Sequence, residues 1–333
     1  MTLNPLVSII ILNYNGYADI KECFKSIYNL NYKNFEVILA DNNSQDDSVK
    51  YVKENYKDVK IIEFDKNYGF AKGNNLAIAY TKGKYIALLN MDTVVDQNWI
   101  SELVNVAEKS KDIGIVGGKI YQYKNNIIDF AGSFCDKYGN ARHIGILKED
   151  NKLFNKQNKA FYICGASLLL KKELYEKIKL FDPYYFAYYE DVDFCWRAWI
   201  LGYSVVYVPS SFIYHKVGGV LKDKNKKLYF LERNRLRTIL KNYEIKSIFR
   251  IFPNYIYIRL EKIFRVRVLK NRFSSQLFII YLKAFLWNIL HIRSLIQNRI
   301  FIQSRRKKDD KFLFSLMKEL REFANKINLH WKK

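Results

Sequence analysis

Over the first 120 residues, continuous apolar runs alternate with stretches whose apolar residues recur at helical spacing. The run Leu-Val-Ser-Ile-Ile-Ile-Leu at 6–12 is typical of a strand that is buried on both faces, as in a parallel sheet. Further strands are predicted at 35–40, 59–64, 84–89 and 113–117. Between them, one helix is predicted to end near Leu30, and others to span 44–56 (capped by Ser44), 71–82 and 95–109. This alternation predicts a doubly wound α/β sheet, whose ligands bind at the carboxyl ends of the strands.

Polar residues follow three of these strands, at 13–15, 41–43 and 90–92. Because the carboxyl ends of parallel strands meet at one edge of the sheet, we expect these three sites to lie side by side. There a carboxylate such as Asp41 can accept an N–H from a pyrimidine ring, and Asp92 can hold a divalent cation against a diphosphate. A turn or cap role for the two aspartates is the alternative.

A glycine-containing loop, Asn-Tyr-Gly-Phe-Ala-Lys-Gly-Asn-Asn at 67–75, leads into a predicted helix. Its glycines permit close approach of the backbone, and Lys72 and Asn75 are placed to meet a phosphate or a ribose. The chain has no G-x-G-x-x-G after its first strand and no G-x-x-x-x-G-K-[ST]. These absences argue against a nicotinamide or flavin Rossmann domain and against a P-loop NTPase.

From 119 to about 170 the pattern changes to short strands and turns. We interpret the polar stretch 148–159 as a mobile loop, with a solvated connector as an equal alternative. Further along, the aromatic segment 181–197 contains Glu190, Asp191 and Asp193. Three carboxylates within four residues are unfavourable unless a cation, a catalytic role or the positive end of a helix dipole compensates for them.

Charge divides the 333 residues into two regions. Residues 1–220 carry 27 basic and 25 acidic side chains, a net charge of +2, whereas residues 221–333 carry 29 and 8, a net charge of +21. We therefore predict a globular unit at 1–220 and a basic, mainly helical C-terminal region at 221–333. With 49% hydrophobic and 16% aromatic residues, the chain is not expected to be intrinsically disordered.

The C-terminal region has the pattern of amphipathic, basic helices. Near its end, apolar residues recur at helical spacing: Phe312, Leu316, Leu320, Phe323 and Ile327. Three explanations remain open: nucleic-acid binding, a helical appendage packed on the first unit, and interfacial binding to an anionic membrane surface. We favour the membrane and predict no nucleic-acid partner, because no nucleic-acid motif is present. Self-association into a homo-oligomer is a further alternative. The longest charge-free run of the region, 273–282, is half of what a spanning helix needs, about 20 residues.

Several motifs occur in the order of a known family. They are VSIIILNYN (7–15), ADNNS (40–44), NYGFAKGNN (67–75), LNMDT (89–93), CGAS (164–167), FD (181–182), YEDVDFCWR (189–197) and YH (214–215). Over about residues 6–240 the chain resembles glycosyltransferase family 2, in particular its rhamnosyltransferase-like branch. The resemblance implies a GT-A-type, Rossmann-like doubly wound mixed sheet and an inverting transfer from a nucleotide sugar that depends on a divalent cation, Mn²⁺ or Mg²⁺.

The resemblance also implies roles for individual residues. A nucleotide-sugar site would include Asn13, Asn15, Asp41, Asn43, Gly69, Lys72, Asn75, Asn90 and Asp92, with Asp41 on the base. Asp92 would be the metal-binding carboxylate of a D-x-D motif whose first position is the neutral Asn90, and His215 would be a second metal ligand. Asp191 would be the general base, with Glu190 and Asp193 in supporting roles.

We therefore predict a non-processive glycosyltransferase of cell-surface polysaccharide or glycolipid synthesis. The expected donor is a UDP or dTDP sugar, dTDP-rhamnose above all, and the expected acceptor is a saccharide or a lipid-linked sugar. The expected location is the cytoplasm, peripherally on the cytoplasmic face of the membrane. The alternative is a catalytically inactive GT-A-fold binding or assembly module, which Asn90 favours and the presence of Asp92, Asp191 and His215 opposes.

Overall fold

The computed structural model describes residues 4–216, 223–270 and 275–330. Its strands are β1 (Val7–Asn13), β2 (Phe35–Asp41), β3 (Lys60–Glu63), β4 (Tyr85–Asn90), β5 (Thr93–Val95), β6 (Ile113–Gln122), β7 (Ile127–Phe130), β8 (Ser133–Cys135), β9 (Ala141–His143), β10 (Lys148–Glu149), β11 (Asn158–Lys159), β12 (Ser167–Lys171) and β13 (Ser204–His215). Its helices are α1 (Tyr17–Tyr28), α2 (Ser48–Asn55), α3 (Gly69–Ala77), α4 (Trp99–Ala107), α5 (Lys172–Ile178), α6 (Glu190–Ile200), α7 (Lys224–Asn242), α8 (Ile245–Lys270), α9 (Ser275–Leu290), α10 (Ile292–Gln303) and α11 (Asp310–His330). Short 3₁₀ turns lie at Ile78–Tyr80 and Lys152–Phe154.

Eleven of the described strands form one sheet, whose main path runs β10-β7-β6-β12-β4-β1-β2-β3. Strand β1 is parallel to β2 and β4, and β2 is parallel to β3. Strand β12 is antiparallel to both β4 and β6, and β13 runs parallel to β6 but antiparallel to β5. The predicted doubly wound, mixed α/β sheet is therefore confirmed.

Strand β1 shows why a continuous apolar run forms the centre of this sheet. Ile9, Ile10 and Ile11 point alternately to its two faces, and all three are fully buried. Side chains on both faces of β1 are buried, including the polar Ser8, whose hydroxyl donates to Glu36. This packing fixes the register of the neighbouring strands and with it the positions of the polar residues that follow them.

Several element boundaries differ from the sequence prediction. The helix expected from Ser44 begins at Ser48, because the Ser44 hydroxyl donates to Asp41 at 2.5 Å instead of capping a helix. The helix expected over 95–109 begins at Trp99, and the residues before it form β5. At the second place Val94 and Val95 pair with β13 instead of entering the first turn of the helix.

The stretch 148–159, predicted to be a mobile loop, is attached to the sheet. It contains β10, a 3₁₀ turn and β11. The buried ammonium group of Lys119 on β6 lies 2.8 Å from Asp150 Oδ2 and 2.6 Å from Asn155 Oδ1. Because a buried lysine needs such partners, the segment is held where it crosses β6.

The C-terminal helices pack closely on the first unit. The apolar side of α11, including Leu316, Leu320 and Ile327, is buried, and the ring of Phe312 contacts Trp199 of α6 at 6.3 Å between centroids. For α11 the structure therefore favours the packed appendage among the three sequence explanations. The proposed division at 220/221 remains a prediction, although α7 is bonded deeply into the first unit, as described below.

Candidate active site

The polar residues predicted to share one sheet edge lie next to one another. In the parallel register Asn13 of β1 stands opposite Asp41 of β2, and Leu12 stands opposite Asn90 of β4. The carboxyl ends of three neighbouring strands therefore present amide and carboxylate groups to the same space. This part of the prediction is confirmed, because it follows directly from the strand register.

Asp41 is held in place by its neighbours at this edge. Asn13 Nδ2 lies 2.7 Å from Asp41 Oδ1, and the backbone N–H of Ser44 donates to Asp41 Oδ2 at 2.8 Å. Asn15 Oδ1 accepts the N–H of Gln45 at 2.8 Å. Asp41 lines a cavity of about 610 Å³ together with Asn43, whose backbone is left-handed at φ +64°. A carboxylate fixed at the wall of such a cavity can accept an N–H from a ring.

The glycine-containing loop forms the start of α3. Gly69 has φ +75°, and a Cβ there would lie 2.6 Å from the ring of Phe186, so only glycine fits. The Lys72 ammonium lies 4.1 Å from the centre of the Tyr68 ring, where it remains near the surface. The expected ribose or diphosphate role of Asn75 is not supported: its side chain donates to the carbonyl of Phe181 at 2.8 Å and accepts the same residue's N–H at 2.9 Å.

Asp92 and His215 meet although 123 positions separate them. His215 ends β13, which pairs with β5 so that His215 lies opposite Thr93. Its Nε2 is 3.3 Å from Asp92 Oδ1, and its Nδ1 is 3.6 Å from Asp129 Oδ2. Burial favours the neutral ring, but the two carboxylates outweigh it and raise the pKa of His215 to about 9.

Asp129 on β7 is a residue of this site that the sequence motifs did not indicate. Burial alone would raise the pKa of the Asp129 carboxyl, but the nearby His215, His143 and Lys227 lower it below the ordinary value. Its carboxylate therefore remains charged and orients the His215 ring from the side away from Asp92. No local signal marks Asp129, because β7 reaches His215 only through the pairing of β6 with β13.

A second cavity, of about 730 Å³, joins the predicted catalytic residues. Its walls include Asn90, Asp129, His215, Glu190, Asp191 and Gly165. Asp191 Oδ2 accepts the N–H of Gly165 at 3.0 Å, and Asp191 Oδ1 accepts the N–H of Val192 in its own helix at 2.7 Å. One backbone N–H therefore holds each oxygen of the Asp191 carboxylate, and Asp191 lines the same cavity as His215.

Glu190 and Asp191 are strongly affected by burial. Desolvation raises the pKa of Asp191 above its ordinary value. Desolvation, and then the neighbouring charge of Asp191, raises the pKa of Glu190 well above its ordinary value. Within the described chain Glu190 Oε2 is buried and has no hydrogen-bond partner. Two adjacent carboxyls with raised pKa values, one buried and one half-buried, in a cavity, are the arrangement expected of acid–base groups.

The backbone before these two residues is unusual. Tyr188 and Tyr189 both have left-handed φ values, +68° and +70°, which non-glycine residues rarely adopt. Asn234 of α7 stabilises the turn: its Nδ2 donates to the carbonyls of Ala187 at 2.9 Å and Tyr188 at 2.6 Å. The basic C-terminal region therefore supports the catalytic turn directly. Strain of this kind is found where a structure must aim a functional group.

Asp193, expected to support catalysis, lies elsewhere. It is fully buried and forms ion pairs with Arg197 Nε and Lys241 Nζ, both at 2.9 Å. Asn242 Nδ2 also donates to its Oδ1 at 3.0 Å. Asp193 is absent from the walls of the 730 Å³ cavity. Asp193 follows Asp191 by two positions, about 200° around the axis of α6, so it lies on the opposite side of the helix and the structure gives it a structural role.

The donor set at Asp92 and His215 suits a divalent cation that also binds a diphosphate. Among the described residues, no group of three or more His, Cys, Asp or Glu side chains could hold a metal by itself. A carboxylate and an imidazole 3.3 Å apart supply two ligands once His215 has released the proton that its raised pKa favours, and Mg²⁺-type sites commonly complete their shell with substrate phosphates and water. The residues present therefore fit such a cation.

The fold is shared with solved glycosyltransferases. GalNAc-T7, in a crystal structure with UDP, GalNAc and Mn²⁺, matches 74% of this chain over 49% of its own, with a TM-score of 0.60 and 16% identity. The mannosyltransferase PcManGT from Pyrobaculum calidifontis, in complex with GDP-Man and Mn²⁺, matches 91% of this chain over 86% of its own, with a TM-score of 0.55 and 14% identity. The protein has a GT-A fold.

Sequence comparison identifies the family. The model of glycosyl transferase family 2 matches residues 8–179, just over half of the chain. The chain belongs to glycosyltransferase family 2 and is a glycosyltransferase. It is 27% identical over 248 residues to an uncharacterized glycosyltransferase of Haemophilus influenzae, covering 72% of this chain and 73% of that one.

Other relatives are matched over a smaller share of their length. The hexosyltransferase Agl10 of low-salt glycan biosynthesis in Haloferax volcanii is 25% identical over 196 residues, 58% of this chain and 61% of Agl10. The uncharacterized protein y4gI of Sinorhizobium fredii is 29% identical over 224 residues, 63% of this chain but only 24% of y4gI.

Proposed function

We propose that the protein is an inverting, non-processive glycosyltransferase with Asp191 as its general base. The observation that carries this proposal is the position of Asp191: it lies in the 730 Å³ cavity with His215, and two backbone N–H groups fix its carboxylate. The donor is a pyrimidine nucleoside diphosphate sugar, of UDP or dTDP type, with dTDP-rhamnose favoured. The acceptor is a sugar hydroxyl on a saccharide or lipid-linked chain of cell-surface polysaccharide or glycolipid synthesis.

The chemistry requires a base on one side of the sugar and a leaving group on the other. Asp191 removes the proton of the acceptor hydroxyl as its oxygen forms a bond to the anomeric carbon. The bond from that carbon to the diphosphate oxygen breaks, and the nucleoside diphosphate leaves with the electron pair. Attack from the side opposite the leaving group inverts the anomeric centre. A raised pKa makes Asp191 a stronger base than an ordinary aspartate.

Asp92 and His215 would hold a divalent cation, Mn²⁺ or Mg²⁺, against the diphosphate. When bound, the cation would stabilise the negative charge of the leaving group. The Mn²⁺ in both solved structures described above supports a cation for this class of enzyme. Asn90 stands at the first position of the D-x-D motif, so the protein's own ligands are Asp92 and His215, and we expect weaker metal binding than two carboxylates would give.

Glu190 is assigned to the acceptor. Its raised pKa keeps the carboxyl protonated more readily than an ordinary glutamate, so it can donate a hydrogen bond as well as accept one. Glu190 lines the cavity beside Asp191, and its buried Oε2 has no hydrogen-bond partner in the described chain. A sugar hydroxyl would supply the missing partner and would be oriented toward Asp191.

Calorimetric titration tests the donor assignment. UDP, dTDP and GDP are titrated into the protein with and without Mn²⁺, in the wild type and in Asp92→Asn. The proposal expects one pyrimidine diphosphate to bind in a metal-dependent manner, and Asp92→Asn to lose most of the metal-dependent part. Asp112→Asn, the same change on an exposed carboxylate, is the matched control.

Two results would overturn the assignment. If none of the three nucleotides binds, the inactive-module alternative takes its place. If GDP alone binds, as the GDP-Man in the mannosyltransferase structure makes worth testing, the pyrimidine assignment at Asp41 is wrong while the catalytic one survives.

A further inference from the structure

Helix α9 exposes most of its large apolar residues, although Ile280 and Ala284 are buried. Seven large apolar side chains of this helix are exposed: Phe278, Ile279, Leu282, Phe285, Leu286, Ile289 and Leu290. Leu290, at the end of α9, has 81% of its side-chain surface exposed, and Ile300 of α10 has 63%. Helix α11 does the opposite, with Leu313 and Leu316 buried. A monomeric soluble protein seldom leaves so continuous an apolar surface open.

This face cannot be explained by one helix crossing a membrane. Among the described helices, no single one is long and apolar enough to span a bilayer. Together α9 and α10 pass that test, but they are bent by 70° where they meet at His291. Two such helices, joined at a bend that carries the most exposed leucine, are shaped to lie along an interface.

Charge distinguishes the possible occupants of this face. Residues 245–303 contain eleven basic side chains and one acidic side chain. Lys246, Lys283 and Arg293 are among the exposed cations. A second copy of the chain would bring like charges together around the apolar surface, whereas an anionic bilayer would complement them. The composition therefore favours a lipid surface.

We propose that the exposed apolar face of α9 and α10 inserts into the headgroup region of an anionic phospholipid bilayer, with the surrounding lysines and arginines on lipid phosphates. This inference concerns a surface apart from the catalytic cavity and does not depend on the donor assignment. It gives the predicted peripheral membrane association a defined location in the fold.

The same face lies one helix away from the catalytic cavity. Helix α7 contributes Lys227 and Leu231 to the cavity wall. On its other side, Asn288 of α9 donates to the carbonyl of Arg233 of α7 at 3.0 Å, and the Arg233 guanidinium lies 4.3 Å from the Trp287 ring. Adjacent helix axes are about 8–10 Å apart. A docked enzyme would therefore hold its cavity near the lipid surface, which suits a lipid-linked acceptor if the proposed function holds.

Vesicle flotation tests the proposal with the full-length protein. Vesicles of phosphatidylcholine alone and of phosphatidylcholine with phosphatidylglycerol are compared. We expect flotation with the anionic vesicles and little with the neutral ones. The variant Leu286→Asn/Leu290→Asn changes no charge, and we expect it to weaken binding at least ~100-fold, because each leucine contributes roughly tenfold. Lys283→Gln/Arg293→Gln should weaken binding to the anionic vesicles by roughly fivefold per charge.

A matched leucine and two further readouts keep the test decisive. Leu76→Asn, on the exposed side of α3, should float like the wild type. Circular dichroism and nucleotide titration show whether each variant is folded and whether its donor site works. Absence of flotation, or equal flotation of Leu286→Asn/Leu290→Asn, overturns the proposal. A dimer in light scattering that this variant converts to a monomer assigns the face to a second copy instead. If the wild type floats but binds no nucleotide, the donor assignment fails and this proposal stands.

Discussion

Four carboxylates of the segment 182–193 divide into two pairs with opposite surroundings. Asp182 and Asp193 are buried among cations: Lys241 Nζ lies 2.9 Å from a carboxylate oxygen of each, and Arg237 Nε lies 2.8 Å from Asp182 Oδ2. Glu190 and Asp191 line the cavity and have no lysine or arginine ion pair among the described residues. Asp193 lies only two positions from Asp191 in the same helix, so the difference between these two carboxylates comes from the rest of the fold.

The two pairs respond to burial in opposite directions. For Asp182 the desolvation penalty is outweighed by Lys241 and Arg237, so the pKa of its carboxyl is lowered well below the ordinary range. For Asp191 desolvation dominates and the pKa is raised. A carboxylate that is neutralised by cations stabilises the fold, whereas one that is left without them retains the proton affinity that a base requires.

The largest expected effect is on catalysis at the cavity pair. Asp191→Asn should lower the transfer rate by about 10²–10⁴-fold, because an amide cannot accept the hydroxyl proton. The melting temperature should not fall, since a neutral amide removes a buried charge and can still accept the N–H of Gly165. The rate is measured with a radiolabelled nucleotide sugar, alongside nucleotide binding by calorimetry.

Glu190→Gln is the control for this assignment. It keeps a hydrogen-bonding group beside Asp191 and should reduce transfer much less than Asp191→Asn does. If the order of the two variants is reversed, Glu190 is the base. Wild-type transfer by Asp191→Asn would remove the cavity pair from the mechanism altogether.

Sequence alone could place the residues whose position follows from strand register. Continuous apolar runs fix β1, β2 and β4 as neighbouring parallel strands, so Asn13, Asp41 and Asn90 had to share one edge. Asp191 was assigned through a resemblance to a family, and the structure brings it to the cavity that contains His215. These assignments depend on short-range pattern or on motif order.

The remaining assignments depend on contacts between distant parts of the chain. Asp129 reaches His215 across 86 positions, and Lys241 reaches Asp193 across 48. The same limit explains the two errors: Asn75 is bonded to Phe181, 106 positions away, and Asp193 faces α7 rather than the cavity. No periodicity or local motif encodes which side of a helix a distant element will cover.

The next largest effect is on the stability provided by the ion-paired carboxylates. Asp193→Asn should lower the free energy of unfolding by about 3–5 kcal/mol, because it leaves Lys241 and Arg197 buried with less compensating charge. Urea unfolding followed by tryptophan fluorescence measures it. Transfer per folded molecule should remain close to the wild-type value.

A double variant separates lost charge balance from lost packing. Asp193→Asn/Lys241→Met removes the cation together with its partner, and we expect it to recover at least ~1 kcal/mol relative to the single variant. If the stability losses of the two single substitutions simply add in the double variant, Lys241 is stabilised by Asp182 and not by Asp193. Loss of transfer in a folded Asp193→Asn would restore this residue to the catalytic group.

The smallest effect distinguishes the pairs by the sign of their pH dependence. Because the pKa of Asp182 is lowered on folding, its contribution is present above its unfolded value of about 3.9 and is lost as the pH falls through the lower folded value. The stability difference between the wild type and Asp182→Asn should therefore shrink as the solution becomes more acidic than about pH 4.

Glu190 has a raised pKa, so its buried charge costs stability at neutral pH and this cost disappears as the pH falls through the raised value. Glu190→Gln should therefore stabilise the protein by about 1 kcal/mol at pH 8, the scale of one unpartnered buried group, and by less toward pH 5. Melting temperatures from pH 3 to 8 measure both differences. The stability of the wild type minus that of the variant should fall toward acid pH for Asp182→Asn and rise toward acid pH for Glu190→Gln. If both differences change in the same direction, the two pairs do not differ in the way that their surroundings indicate.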